Sequence, residues 1–240
     1  MVLGTAPHGA ITEQDAARWV RDMFGRIAPR YDLLNHLLSF NLDRAWRRRL
    51  IRRVQPVLES PHARALDLCC GTGDVMLAMR RRAQARVYGT DFSHPMLTAA
   101  HAKGAAQLFE ADALKLPLAD RSLDLIATAF GFRNFASYAQ GLEEMARVLR
   151  PGGVAAILEF APPPATLFGR LHVLYSRLVL PRICGLISGS PEAYEYLPQS
   201  VTRFPAPDEL ATAMRNAGFT VVRYELMTGG IVALHIGTRP

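Results

Sequence analysis

The sequence predicts a doubly wound α/β fold: a mostly parallel sheet, helices on both faces, and one antiparallel edge strand. Three observations carry that prediction. From residue 64 onward, short apolar runs alternate with helical stretches, and such alternation builds a parallel sheet covered on both faces. A glycine turn, Gly71-Thr72-Gly73, follows the first apolar run and opens a helix. Gly229-Gly230 separates the last two runs, which suits a tight antiparallel hairpin.

The elements follow in order. Residues 1–11 read as a loose tail, and Thr12 with Asp15 three residues on makes a capping-box start for a helix to about Arg26. A second helical stretch covers Tyr31–Phe40. A third, Leu42–Val57, spaces Leu42, Trp46, Leu50 and Val54 four apart, with Arg44, Arg47, Arg48, Arg52 and Arg53 around them. Apolar runs at Ala65–Cys70, Arg86–Asp91, Gln107–Glu110, Leu123–Phe130 and Val154–Phe160 read as strands, with helices near 74–83, 94–103 and 137–149 between them. A proline- and aromatic-rich stretch, Ala161–Pro207, interrupts the rhythm. A helix over Asp208–Ala217 and strands near 219–227 and 231–238 close the chain. The 240 residues thus read as one domain, with a helical extension over 12–57 and a substrate-side insertion over 161–207.

Composition bounds the function. The net charge is +7, and of 28 basic residues only Lys103 and Lys115 are lysines. A basic surface suits nucleic acid, an anionic membrane face or an anionic substrate, and composition does not separate these. The three cysteines, Cys69, Cys70 and Cys184, are too few and too badly spaced for a disulfide framework or a zinc site. Neither a signal pattern nor an apolar run of the ~18 residues a spanning helix needs is visible. A cytoplasmic protein is expected, with room for peripheral contact at the inner membrane face and for a homodimer.

The densest chemistry lies in Ala65-Leu66-Asp67-Leu68-Cys69-Cys70-Gly71-Thr72-Gly73-Asp74. A strand running into a glycine turn that opens a helix lets backbone approach a ligand closely. Asp91 ends the second strand 18 residues after Gly73, where a carboxylate can accept both ribose hydroxyls of a nucleoside. A dinucleotide is the rival ligand, but its fingerprint needs a third glycine where this chain has Met76. Asp67 and Asp74 flank the turn with negative charge, awkward beside a pyrophosphate and well suited to a sulfonium and its ammonium group. S-adenosylmethionine is the expected cofactor, held by Asp67, Gly71, Thr72, Gly73 and Asp91. Asp112-Ala113, after the third strand, extends the site, with Asp112 placed to read the adenine amino group.

At this point the chain resembles a known family. Asp67–Asp74, Leu116-Pro117-Leu118-Ala119-Asp120 and Arg147-Val148-Leu149-Arg150-Pro151-Gly152-Gly153 resemble motifs shared by class I methyltransferases. Four others are more specific to the ubiquinone/menaquinone biosynthesis C-methyltransferases. They are Tyr31-Asp32-Leu33-Leu34-Asn35 with Leu38-Ser39-Phe40, Phe130-Gly131-Phe132-Arg133-Asn134, Leu180-Pro181-Arg182 with Tyr194-Glu195-Tyr196-Leu197-Pro198-Gln199-Ser200, and Gly229-Gly230-Ile231-Val232-Ala233-Leu234-His235. The insertion and the double cysteine look more like the menaquinone branch. One departure is Ala129, where some relatives carry serine.

The resemblance implies a Rossmann-like methyltransferase fold and methyl transfer to a ring carbon of a polyprenylated quinol, as from demethylmenaquinol to menaquinol. No metal is implied. A ring carbon needs activation by deprotonation of the neighbouring hydroxyl, which makes the reduced ring the expected substrate. Arg133, Asn134 and Asp74 are the candidate catalytic residues: Arg133 for the forming phenolate, Asn134 for orienting the hydroxyl, Asp74 for the proton. Tyr31 and His235 are candidate substrate contacts. Each has a plainer reading beside it: Asp74 complements its helix's first turn, Asn134 caps the helix near Ser137, and His235 sits in an apolar strand as a core residue would. An RNA methyltransferase, a methyltransferase for sterols or phenols, and a cofactor-binding scaffold subunit are the rival functions.

Overall fold

The computed structural model describes residues 4, 5, 7, 9–166, 169, 174, 175 and 191–240. The expected insertion motif Leu180-Pro181-Arg182 lies outside the described residues. Three helices come first: α1 (Glu13–Ile27), α2 (Tyr31–Leu38) and α3 (Leu42–Leu58). The capping box read at Thr12 is present. Thr12 Oγ1 accepts the Asp15 N–H at 3.1 Å and Asp15 Oδ2 accepts the Thr12 N–H at 3.1 Å.

Then come β1 (Arg64–Leu68), α4 (Asp74–Arg80), β2 (Arg86–Asp91), α5 (His94–Ala102), β3 (Leu108–Glu110), β4 (Leu123–Ala129), α6 (Tyr138–Val148) and β5 (Leu149–Phe160). Two helices, α7 (Pro191–Arg203) and α8 (Pro207–Asn216), precede the closing hairpin of β6 (Thr220–Met227) and β7 (Val232–Thr238). The sheet order is β3-β2-β1-β4-β5-β7-β6. All pairs are parallel except those of β7, which runs antiparallel to both β5 and β6 in the pair that ends the sheet. The hairpin turn is a single 3₁₀ turn, Thr228–Gly230, whose glycines take the positive φ values of 64° and 94° that L side chains resist.

The strands read as continuous apolar runs because both their faces are covered. Alternate residues part company: Ala65, Leu125, Ala127, Ala156 and Leu158 pack under α3 and α4 with Trp46, Leu50, Val54, Met76 and Met79. Leu66, Ile126, Ala155 and Ile157 pack under α6 and α8 with Leu142, Met145, Leu210 and Met214. Helix α1 buries Ala16, Val20, Met23 and Ile27 along one stripe. That stripe packs on Met96 of α5 and Tyr196 of α7, with about 1.5–3 kcal/mol to be gained per large apolar side chain buried. The extension is thus clamped over the end of the sheet where β2 and β1 stop.

Two elements depart from the reading above. Strand β5 starts at Leu149, five residues before the expected Val154, because Leu123↔Leu149 pairing resumes as Leu125↔Val154 across a bulge at Pro151-Gly152-Gly153. The insertion carries a 13-residue helix, α7, over a stretch expected to interrupt regular structure.

Candidate active site

The loop after β1 is built from left-handed backbone. Cys69 (φ 57°), Gly71 (φ 52°) and Gly73 (φ 83°) lie within five residues. Gly73 is the N-cap of α4 and offers no side-chain acceptor. Asp67 supplies it instead: its Oδ2 accepts the Met76 N–H at 2.8 Å, with the side chain almost wholly buried. Burial pushes this carboxyl up to about 8. A side chain at Gly73 would also meet Ala100 Cβ at 3.1 Å.

Asp91 closes the other side of the loop. Its Oδ2 accepts the Gly71 N–H and its Oδ1 the Ser93 N–H, both at 2.9 Å. One acceptor direction on each oxygen is left for a ligand. Burial raises the Asp91 carboxyl to about 6, against the pull of these N–H groups.

A second turn mirrors the first on the neighbouring strand. Phe130 follows β4 with φ 61°, and Gly131 lies against the first loop so closely that a Cβ there would be 2.6 Å from Cys69 Cβ. Two non-glycine residues held left-handed on adjacent strand ends mark a strained, ligand-facing edge. The order reverses between β1 and β4, which is where ligands of open α/β sheets bind.

An open cleft lies at that edge. The strand ends supply Cys69, Gly71, Asp91, Asp112, Ala113 and Gly131. Phe92 and Leu114 give it apolar walls, Asn134 and Phe135 its far side, and Ala17, Phe24 and Tyr31 its cover from α1 and α2. Among the described residues, the charged side chains lining it are Asp91 and Asp112 alone, in a chain of net charge +7. Asp112 spends one oxygen locally, accepting the Leu114 N–H at 2.9 Å. Burial pushes the Cys69 and Cys70 thiols well up, which keeps both inert.

Asn134 is held in place by the insertion. The Tyr196 hydroxyl donates to Asn134 Oδ1 at 2.9 Å and is within 2.6 Å of Thr5 Oγ1. Thr5 in turn donates its N–H to Phe135 O at 2.7 Å. With its carbonyl oxygen so engaged, Asn134 turns Nδ2 toward the left-handed turn, 3.5 Å from Phe130 O. Ser137, rather than Asn134, caps α6.

Several expected site residues stand elsewhere. Asp67 underpins the loop and does not line the cleft. Thr72 donates to Asp32 and accepts from Lys103 at 3.1 Å. Asp74 is bound by Lys103 at 2.6 Å and by Arg47 at 3.4 Å, also outside the lining. Through these two ion pairs Asp74 joins α4 to α5 and α3.

Arg133 is 6% exposed and lies behind the lining. Its Nη1 meets Glu159 Oε1 at 2.9 Å and also donates to Phe130 O; its guanidinium stands 5.5 Å from the Phe160 ring centre. Glu159, a lone carboxylate in the apolar run of β5, is the sequence signal for this pair. The Arg133 charge still acts on the hydroxyls of Tyr31 and Tyr196 from behind. Burial holds the Tyr31 hydroxyl above its ordinary range, hence protonated. His235 donates Nε2–H to Pro207 O at 2.9 Å and stacks near Tyr224, on the α8 side of the sheet. Burial drives it down to about 4, and it stands outside the cleft lining, in the core.

Comparison with known proteins adds four findings. The profile of the ubiE/COQ5 methyltransferase family matches residues 11–239. The chain is 52% identical over 224 residues to the demethylmenaquinone methyltransferase of Thermus thermophilus, covering 91% of this chain and all of that one. It is 48% identical over 233 residues to the protein of the same name from Deinococcus radiodurans, covering 95% of each. Among solved structures, a SAM-dependent methyltransferase from Archaeoglobus fulgidus shares the fold, with a TM-score of 0.65 at 14% identity over 87% of this chain and 99% of that one.

Proposed function

The chain belongs to the ubiE/COQ5 methyltransferase family, and from that premise we propose that it methylates a ring carbon of a polyprenylated quinol, with demethylmenaquinol as the substrate. The observation that carries the reading is the cleft itself: in a strongly basic chain, the charged groups lining it are two carboxylates. That donor set suits a sulfonium-bearing nucleoside and repels a pyrophosphate.

Asp91 would take the ribose hydroxyls, Asp112 the adenine amino group, and Phe92 and Leu114 the faces of the base. Gly71 and Gly131 let backbone close on the ligand where a side chain would intrude. When bound, S-adenosylmethionine supplies an electrophilic methyl group on a positively charged sulfur.

With Asp91 and Asp112 committed to the nucleoside and the Thr90 hydroxyl donating to Phe109 O, Tyr31 and Asn134 are the polar cleft residues left for the acceptor among the described residues. Tyr31 stays protonated and donates to the ring oxygen as it gains charge. Asn134, fixed by Tyr196, donates from Nδ2 to the same region. Arg133 favours the phenolate from behind, without contact. In balance, the ring carbon gains a C–C bond, the sulfur keeps the pair of the broken S–C bond, and the ring proton leaves to water. A lipid-tailed substrate also places the work at a membrane surface.

The test is turnover of methyl-labelled S-adenosylmethionine with reduced demethylmenaquinol in detergent, beside phenols and tRNA as rival acceptors. Label in the quinol fraction is the expected result. Label appearing instead in the phenols or the RNA overturns the substrate assignment.

A further inference from the structure

We propose that the corner between α2 and α3 is the surface by which this protein docks on an anionic lipid bilayer. The proposal deepens the quinol reading and rests on it, because a lipid-tailed substrate is what such docking serves.

Leu33, Leu37 and Phe40 follow one another at helical spacing and are 59%, 42% and 69% exposed; Leu42, opening α3, is 41% exposed. The patch continues to Tyr175, whose ring centre is 5.5 Å from that of Phe40, and Leu174 beside it is 54% exposed. Contiguous exposed apolar surface of this kind marks a partner or a membrane. Its tip is also strained. Phe40 (φ 51°) and Asn41 (φ 60°) are consecutive left-handed residues, an outlier for a bulky aromatic. Phe40 nevertheless remains 69% exposed, with its ring against Tyr175.

Charge chooses the occupant. Between Ala28 and Leu58 the sequence has seven arginines and two aspartates. Both aspartates are consumed internally: Asp32 by Thr72 and Lys103, Asp43 by His36, Ser39 and Arg47. Arg49 and Arg53 pair with Glu225 on β6. Arg44 and Arg48, four residues apart on the exposed side of α3, make no ion pair among the described residues. An apolar tip backed by unneutralised arginines fits acyl chains and anionic headgroups together; a second copy docking by the same face would need matching acids, and this surface has none to spare.

The placement also serves the reaction. Tyr31, the first residue of α2, lines the cleft, and Phe40 lies just beyond its other end. Eight helical residues span about 12 Å, so a docked tip holds the cleft about one helix length from the headgroups. A quinol ring can then enter while its tail stays in the bilayer.

The experiment is flotation of the purified full chain with phosphatidylglycerol–phosphatidylcholine vesicles and with pure phosphatidylcholine, with no quinol present. Binding is expected on the anionic vesicles and should weaken as salt rises. Leu37→Ser with Phe40→Ser should lower the partition at least about ten-fold. Arg44→Gln with Arg48→Gln should lower it about thirty-fold on anionic vesicles. Val221→Ser with Leu226→Ser, on exposed positions of β6, should leave it unchanged. Methylation of a short-tailed demethylmenaquinol in detergent checks that the Leu37/Phe40 variant is folded, and it should match wild type. Equal flotation of wild type and that variant overturns the docking surface, as does loss of a dimer in sedimentation in place of lost vesicle binding. Failure of wild type to methylate the short-tailed quinol strikes the substrate assignment instead, and the flotation result is read independently of it.

Discussion

Replacing Asp91 with asparagine tests the cofactor site at its most loaded residue. Its two oxygens already accept the Gly71 and Ser93 N–H groups at 2.9 Å, so the side chain cannot swing away from the cleft. Each oxygen has one direction left for a ribose hydroxyl, and a hydrogen bond to a charged acceptor contributes about 1.5–3 kcal/mol against about 0.5–1.5 for a neutral one. Asparagine keeps the shape, loses the charge, and turns one acceptor into a donor facing a backbone N–H. Taken together, Asp91→Asn should cost about 2–3 kcal/mol of binding, a roughly 30- to 150-fold weaker Kd.

The pH dependence sharpens this test. The folded, cofactor-free carboxyl is raised by burial to about 6. Its contribution to stability is therefore present below the ordinary carboxylate range and lost as pH rises through about 6. Ribose hydroxyls donate to the ionised form, so binding should strengthen as pH rises through about 6 and fall off below it. Calorimetric titration with S-adenosylhomocysteine from acid to neutral pH reads both effects. A variant that binds like wild type, or one that keeps the wild-type pH profile, would refute the assignment of Asp91 to the ribose.

Three further predictions follow from the geometry. Gly131→Ala would set a Cβ 2.6 Å from Cys69 Cβ and 3.1 Å from Thr128 Oγ1; overpacking of about 1–3 kcal/mol should lower Tm by several degrees, and adding Cys69→Gly should restore much of it in a thermal melt. Arg133→Ala strands Glu159 in the interior and should cost about 3–5 kcal/mol in denaturant unfolding, whereas replacing both with leucine should recover most of that stability but not kcat, since the charge behind Tyr31 is gone. Tyr196→Phe removes the donor that fixes Asn134; kcat should fall about ten-fold with the cofactor Kd unchanged, and a change in the cofactor Kd instead would place Asn134 on the nucleoside side.

Much of the fold was legible because the physics is local. Runs such as Leu123–Phe130 are apolar throughout only when both faces are covered, and the glycine loop and hairpin announce their turns. The bulge at Pro151-Gly152-Gly153 was not legible, since those residues read as a loop until β4 is alongside to pair with Leu149. Helix α7 was hidden by Pro198 within it.

The site divides the same way. Residues that end strands, Gly71, Asp91, Asp112 and Ala113, reach the cleft because strand ends define it. Side-chain direction and distant partners decide the others. Asp74 is claimed by Lys103 and Arg47, 29 and 27 residues away in sequence. Arg133 is claimed by Glu159, and His235 falls on the face of β7 that packs toward α8. Ala17 and Phe24 reach the cleft only through the docking of α1 on α5, which no local pattern encodes.

The proposed chemistry turns on a carbon–methyl bond formed on a reduced ring. The most direct measurement is an anaerobic time course with methyl-labelled S-adenosylmethionine, offering demethylmenaquinol in one arm and the oxidised quinone in the other. Label is expected on the quinol alone, one methyl per ring, retained through reoxidation and hydrolysis because it sits on carbon. Label on the oxidised ring, or label on oxygen that hydrolysis releases, would contradict it.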